Sequence, residues 1–353
     1  MRCAWRRGPG LATAAALGLA WLAIGGGAGA RAQRAPSADI AARAIDPARC
    51  GECHAEEAAT HASSAHAAAA VDPIFLAEYA PRPDPACVRC HAPLAPEGAA
   101  IDAPLARIGV GCAACHVRGG EVLSAGAPSG RAPHPSRREP ALSRAEGCAG
   151  CHQFAFGLPS DGSAPHFDPA EVQQDTLAEW REAGAPRCQR CHMRGEGRGH
   201  AFGGLGDAAL VRGALHLRAR ARREGPQIAF DLRLTAARVG HAVPTGDVFR
   251  RLRITARTER ATASAELRRY FAPTAEGGGL LVREVDDTRV APGQPRTVRL
   301  VLADSEASAI AWRVELLRLD PDVARARGLE DGAITILVAE GSSEVRRPRG
   351  PSP

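Results

Sequence analysis

The sequence predicts a two-part protein: a mainly α-helical, cysteine-rich region over about 33–205, then an all-β, sandwich-like domain over about 206–345. Three observations carry this reading. Apart from Cys3, every cysteine lies between residues 50 and 191, in copies of one short motif. Period-two alternation of apolar and polar residues begins only after about residue 205. Aromatic side chains make up 4% of the 353 residues. That low share leaves room for something other than ordinary side chains to fill the first interior.

Residues 1–32 read as an export signal. Arg2, Arg6 and Arg7 form a positive start, the apolar run Leu11–Ile24 follows, and Ala30-Arg31-Ala32 offers a cleavage site. Gly18 interrupts the run and Gly25-Gly26-Gly27 ends it, which favours cleavage over a lasting membrane anchor. Cleavage would remove Cys3. The mature chain is expected in the periplasm, soluble or peripherally attached to a membrane. The formal net charge is +6, and all 45 basic side chains are arginine, scattered along the chain. No basic stripe suggests nucleic acid as a partner.

The motif is Cys-x-x-Cys-His. It recurs at 50–54, 87–91, 112–116, 148–152 and 188–192, and accounts for all ten remaining cysteines. This is the attachment signature of c-type haem. The pairs Cys50/Cys53, Cys87/Cys90, Cys112/Cys115, Cys148/Cys151 and Cys188/Cys191 would each form two thioether bonds to one porphyrin. His54, His91, His116, His152 and His192 would be the proximal iron ligands. Zinc sites do not require a histidine after every second cysteine. Thioredoxin-like motifs do not come five at a time, and adjacent Cys-x-x-Cys pairs are poor disulfide staples. Five covalently bound haem c groups are therefore expected. The motif starts are 37, 25, 36 and 40 residues apart. In so dense an array the cofactors themselves would serve as core, and the region would order only with them bound.

Seven histidines remain as candidate sixth ligands: His61, His66, His134, His166, His200, His216 and His241. Met193 is the only methionine outside the signal and follows proximal His192 too closely to reach the opposite face of that haem. Bis-histidine, low-potential haems are thus expected, since methionine ligation raises the potential. His61 and His66 point in different directions on the helix after the first motif and cannot serve one iron. His66, flanked by small residues, is the better candidate. His134 in "APHPS", His166 in "APHFD" and His200 in "RGHAFGG" are loop histidines able to reach a neighbouring haem. His216 opens a strand and is the blandest of the seven.

With these residues in view, the chain resembles the multihaem cytochrome c family that includes the tetrahaem electron-transfer cytochrome of ammonia oxidation. The resemblance rests on "CGECHAEEAATHASSAHAAA", "EGCAGCHQF", "QQDTLAEWREAGAPRCQRCHM", "HAFGG" and "VGHAVPTGDVFRRL". It implies that His66, His200 and His241 are distal ligands, with His134 a looser match. It departs from the tetrahaem members in its fifth motif and its added C-terminal region. The ammonia-forming pentahaem nitrite reductases fit less well, because their catalytic motif ends in lysine and this chain has none.

The β part is drawn from "IAFDLRLTA" (228–236), "RLRITART" (251–258), "TVRLVLAD" (297–304), "AWRVELLRL" (311–319) and "AITILVAE" (333–340). Their alternation, with Arg, Asp and Glu on the outward face, describes a half-buried antiparallel sheet. Residues 341–353, and 346–353 at the least, are expected to be a disordered tail. Together these features imply an exported pentahaem cytochrome carrying electrons between redox protein partners, a quinol-oxidising complex or a terminal reductase. The other reading is an oxidoreductase acting on a small nitrogen or sulfur compound at an open haem.

Overall fold

The computed structural model describes residues 46–96, 98–101, 104–128, 130–157, 166–193, 199–205, 207–274 and 281–346. The expected export signal and residues 347–353 of the expected tail lie outside the described residues. From Ala32 onward the chain clusters as one unit, so the two expected parts are joined by contacts and not strung on a linker.

The helices of the first part are short. They span Pro47–Gly51, Ala55–Ala62, Pro73–Tyr79, Pro85–His91, Cys112–His116, Ala149–His152, Thr176–Ala183 and Cys188–His192. Asp46, Asp72 and Asp84 cap three of them through their side chains, and each cap is followed by a proline pre-set for the first turn. Gly184, in the left-handed conformation, ends another. The remaining described chain here is turns, loops and small sheets, so the expected mainly α-helical region is in fact helix-poor. Its Pro- and Gly-rich connections punctuate every helix within one or two turns. Among the described residues no helix is long and apolar enough to cross a membrane.

The small sheets are local. Strands β1 (Val117–Arg118) and β2 (Glu121–Ser124) form a hairpin that β3 (Ser136–Arg138) extends in parallel. Strand β4 (Phe154–Ala155) pairs with β6 (Val172–Gln174). Between them in sequence lies β5 (His166–Phe167).

The β part holds β7 (Leu215–Glu224), β8 (Gln227–Ala236), β9 (Arg251–Arg257), β10 (Thr262–Leu267), β11 (Arg269–Pro273), β12 (Leu281–Asp287), β13 (Arg296–Leu302), β14 (Ala309–Leu317) and β15 (Thr335–Arg346). Seven of these form one sheet in the order β10-β9-β14-β15-β7-β8-β13. Strand β15 pairs with β14 as far as Glu344, then passes to β7 at Val345 and Arg346. The edge strands β10 and β13 come within 8 Å, Cα to Cα. The expected sandwich is therefore a single sheet curled almost into a barrel, because one long twisted strand belongs to both halves. Residues 341–346 are strand and not tail: their backbone is paired on β14 and β7.

The alternation predicts the core. Phe230, Leu232 and Leu234 of β8, Leu252 and Ile254 of β9, Leu300 and Leu302 of β13, and Ile310 and Val314 of β14 fill one apolar cluster. Phe230 is 0% exposed at its centre. Phe230→Ala is expected to lower the unfolding free energy by about 3–5 kcal/mol, read as a fall in the denaturant midpoint of the β-sheet signal.

The β part holds the first part along a seam. Ile74 packs with Leu319, Ala324 and Ile334. Arg318 donates to Asp72 at 2.7 Å. Strand β12 pairs with β11 on one side and with β5, from the first part, on the other. Arg283 donates to Asp168 at 2.7 Å, and Arg269 donates to the carbonyls of Val172 and Gln173. The Ala170 N–H and then Arg283 hold the Asp168 carboxyl below its usual range. Burial alone would raise Asp320, but the N–H groups of Asp322 and Val323, with Arg251, outweigh it and hold it down. Carboxylates whose folded pKa is depressed contribute stability above their ordinary pKa of about 3.9 and lose it as pH falls through the folded value. The urea midpoint is expected to drop between about pH 4.5 and pH 3. Asp320→Asn should flatten part of that drop.

Candidate functional site

Four of the five motifs end a short helix at their histidine: Pro85–His91, Cys112–His116, Ala149–His152 and Cys188–His192. The first straddles two helices, with Cys50 in Pro47–Gly51 and His54 capping Ala55–Ala62. On such a turn the two cysteines, three residues apart, share a face, and the following histidine projects beside them. All ten cysteines are unbridged. The thiols of Cys50 and Cys112, of Cys90 and Cys151, and of Cys148 and Cys188 lie close enough to shift one another's acidity. The chain thus sets motif 1 against motif 3, motif 2 against motif 4, and motif 4 against motif 5.

The ten cysteines, expected to act alike in haem attachment, are in fact placed unequally. Cys53 is exposed, in the turn between Pro47–Gly51 and Ala55–Ala62, with its N–H donating to the Cys50 carbonyl at 3.2 Å. It departs from the helical setting of the other motifs because the first helix ends at Gly51, between the motif's two cysteines. Cys191 is half-buried inside Cys188–His192, one turn along from Cys188. Neither Cys53 nor Cys191 enters the three thiol–thiol contacts, which are made by their motif partners Cys50 and Cys188. The geometry that joins motif to motif therefore runs through the first cysteine of motifs 1 and 5. Cys87 and Cys115 stay out of these contacts too, and for all ten cysteines the assignment to haem rests on motif spacing.

The ring geometry is more specific. His66 and His152 have ring centroids 6.2 Å apart, His116 and His200 6.1 Å, and His192 and His241 6.1 Å. These are too far for ring contact. Two metal–imidazole bonds of about 2.0–2.1 Å, with roughly 1.1 Å from ring nitrogen to ring centre on each side, put two axial imidazoles about 6.2–6.4 Å apart. Each pair joins one proximal histidine to one of the three distal positions that the family resemblance implied.

Hydrogen bonds set which nitrogen faces inward. His91 Nδ1 donates to the Ala69 carbonyl at 2.8 Å, His116 Nδ1 to Leu123 at 2.9 Å, and His241 Nδ1 to Ala242 at 2.9 Å. His192 Nδ1 donates to Gly203. Each leaves Nε2 with its lone pair for a metal, the arrangement by which backbone carbonyls fix metal-ligating imidazoles. Burial pushes His66 and His152 down to about 4, so both rings are neutral at neutral pH. His152 is exposed at the surface, yet the atoms crowded around it are enough to lower its basicity. His66, His192 and His91 all lie near enough to act on it electrostatically.

The other candidates fall elsewhere. His61 is buried at the end of helix Ala55–Ala62, with Nε2 donating to the Val110 carbonyl at 2.9 Å, so its free lone pair is on Nδ1. His66 lies past that helix, in a turn. Gly109 makes the turn's packing work: a Cβ there would stand 2.6 Å from the carbonyls of His66 and Ala67. The Val110 N–H donates to His66 O at 2.9 Å, so one loop holds both histidines. His134 bonds Ser136 Oγ through Nδ1, beside β3. His166, expected in a loop, is in β5, where β12 offers it backbone pairing. His216 is exposed on β7. Among the described residues, no second imidazole stands at the 6 Å separation from His54 or His91.

Several contributors carry no motif. Phe202, at a left-handed φ of 46°, packs between His66 and His200, with ring centroids 4.4 and 5.8 Å away. Phe75 stacks on His91 at 3.9 Å. The Arg250 guanidinium, with Nη1 donating to Thr245 O at 2.9 Å, is set deep enough to act on both His91 and His152. Only the "HAFGG" string hinted at Phe202.

The residues fit haem c. The thiols flank each motif histidine, the imidazole pairs leave one metal's width between them, and backbone carbonyls aim the nitrogens inward. Among the described residues no three or more His, Cys, Asp or Glu side chains gather round one point, as a structural zinc site requires.

Comparison with known proteins gives the same picture. A family model described as "Cytochrome c554 and c-prime" matches residues 49–117, which hold the first three motifs. No curated protein matches the chain. A penta-heme cytochrome c552 from Thermochromatium tepidum, 18% identical, has a TM-score of 0.68 over 84% of this chain and 97% of its own. This chain shares that fold. The Mu homology domain of Fcho1 from Danio rerio with bound Eps15 peptide, 15% identical, covers 38% of this chain and 50% of its own at a TM-score of 0.17, a level that implies no common fold.

Proposed function

We propose that the chain is an exported, periplasmic pentahaem c-type cytochrome that carries electrons between redox protein partners. The observation that carries the proposal is the set of three imidazole pairs at 6.1–6.2 Å, each joining a motif histidine to a histidine distant in sequence. The cysteines of the five motifs, Cys53 and Cys191 included, hold five haem c groups. His152 and His66 ligate the fourth, His116 and His200 the third, and His192 and His241 the fifth. His61, through Nδ1, His134 and His166 are the candidates for the irons of His54 and His91. When bound, haem supplies one-electron redox chemistry at a potential set by axial ligands, hydrogen bonds and burial. The chain's part is to hold each haem through its motif cysteines and orient each imidazole. Residues 33–205 form the haem-binding part and 206–345 the β part that closes over it. Both a quinol-oxidising complex and a terminal reductase suit such a carrier as partners.

The test is electron paramagnetic resonance and optical spectroscopy of the purified, haem-loaded protein, oxidised and reduced, with and without carbon monoxide or nitrite. Mass measurement should first give five haems per chain. At least three low-spin, bis-histidine signals that ignore added ligand are expected, those of His116, His152 and His192. If those three irons take up carbon monoxide, the pairing is wrong. A responsive iron at His54 or His91 would favour the oxidoreductase reading, and turnover of nitrite, hydroxylamine or sulfite would then be measured.

A further inference from the structure

The loop that carries His241 is fastened to the first part through one buried carboxylate. Glu179 lies on helix Thr176–Ala183, and Arg289 lies just past β12. Glu179 Oε2 accepts from the Ala242 N–H at 3.0 Å and from the Thr245 hydroxyl at 2.8 Å. Its Oε1 accepts from Arg289 Nη1 at 2.7 Å. The same Nη1 also donates to Pro244 O at 3.2 Å. Both side chains are buried, Arg289 at 9% exposure and Glu179 at 11%. Thr176 adds a hydroxyl contact to Thr245 at 2.9 Å. Gly240 admits the close approach: a Cβ there would stand 2.5 Å from Ala185 Cβ. The loop's other flank is tied to the β part, where Val243 and Val290 exchange both backbone hydrogen bonds at 3.0 Å. Three donors converge on a group that only accepts, an arrangement a neutral amide cannot reproduce.

We propose that Glu179, locked by Arg289, is the positioning residue that sets His241 opposite His192 and places a fixed negative charge beside that haem. The inference rests on His241 being an axial ligand. Without the carboxylate, the Ala242 N–H and the Thr245 hydroxyl lose their common acceptor and Arg289 is left buried without its partner, so the loop should leave its place. Glutamine can keep the Ala242 and Thr245 contacts through its oxygen, but it turns an NH2 group toward Arg289. Geometry and charge can therefore be separated.

The experiment uses the full, haem-loaded chain with three variants: Glu179→Ala, Glu179→Gln and His241→Ala. Glu179→Ala is expected to gain one carbon-monoxide-binding, high-spin haem per chain over the unaltered protein, and added imidazole should return it to low spin. Glu179→Gln is expected to stay low-spin while one of the five components of a redox titration moves to higher potential, because a negative charge beside the iron favours its oxidised form. That shift is a readout that loss of fold alone would not produce. It carries the test if Glu179→Ala yields no folded protein. If His241→Ala opens a haem and neither Glu179 variant changes spin state or potential, the positioning role is overturned. If His241→Ala itself opens none, the ligand assignment fails and the inference falls with it.

Discussion

A chain made without haem attachment, with all ten motif cysteines changed to serine, is expected to keep its β sheet and lose the order of residues 46–205. The apolar contents of the two parts differ in kind. The β part buries Phe230, Ile228, Leu232, Leu234, Leu252, Ile254 and Ile310 in one cluster, each at 0% exposure. The clusters of the first part are built on Leu94, Ala113, Ala114 and Val117, and on Ala70, Val88, Ala92 and Ala106. Alanine buries little surface, while each ordered residue costs about 1–2 kcal/mol of backbone entropy. Helices of four to eight residues are not stable by themselves, so propensity does not make up the difference. The measurement is hydrogen exchange: amides of β8, β9 and β14 should stay protected, and those of the motif helices should exchange at nearly unfolded rates. Equal protection in both parts would mean that the first part folds on its own side chains, and that haem is a passenger there and not its core.

The motif residues were legible in the sequence because haem attachment is covalent and local: two thiols and an imidazole on one turn need no tertiary information. What spacing could not show is that Cys53 would stand exposed in a turn while Cys191 sits half-buried in a helix. Distal ligands are a different problem. His66 lies 86 residues before His152, and His241 lies 49 residues after His192. Nothing in periodicity relates them, and the family resemblance implied His66, His200 and His241 without saying which motif histidine each would face. The pairing emerges only where loops cross, as when Gly109 lets Val110 reach the turn of His66. Glu179 was invisible for the same reason. In sequence it is an unremarked acid on a helix, and its role depends on Arg289, 110 residues away.

The fold was readable where burial is one-sided. Strands β8, β9, β13 and β14 alternate cleanly, so their core faces stand out. Strands β10, β11 and β12 were missed as such, and β7 was marked only by the strand that His216 opens. β7 carries arginines at 218, 220, 222 and 223, β10 is Ala- and Ser-rich, and the hairpin of β11 and β12 serves the seam more than the core. The tail was misread because "GSSEVR" carries one apolar side chain, Val345. Backbone pairing on β14 and β7 holds it as strand, and that is a tertiary effect which composition does not encode.

His66→Ala is expected to have the largest effect of any single ligand change. His152 stands where the motifs converge: His66 faces it, its own motif's cysteines touch motifs 2 and 5, and His91 and His192 lie close enough to act on it. Removing the imidazole opposite His152 should convert one low-spin signal to high spin and create a carbon-monoxide-binding iron at that crossing. His66→Met is the informative companion. Methionine ligation raises haem potential, so this variant should stay low-spin while one component of the redox titration rises. An electron arriving at that haem would then be held more tightly than on its neighbours, and onward transfer from motif 2 toward motif 5 should slow. Stopped-flow reduction, followed haem by haem, measures that delay. Unchanged reduction kinetics together with a raised potential would mean that electrons bypass the fourth haem. The crossing of motifs at His152 would then be an accident of packing and not the junction of the wire.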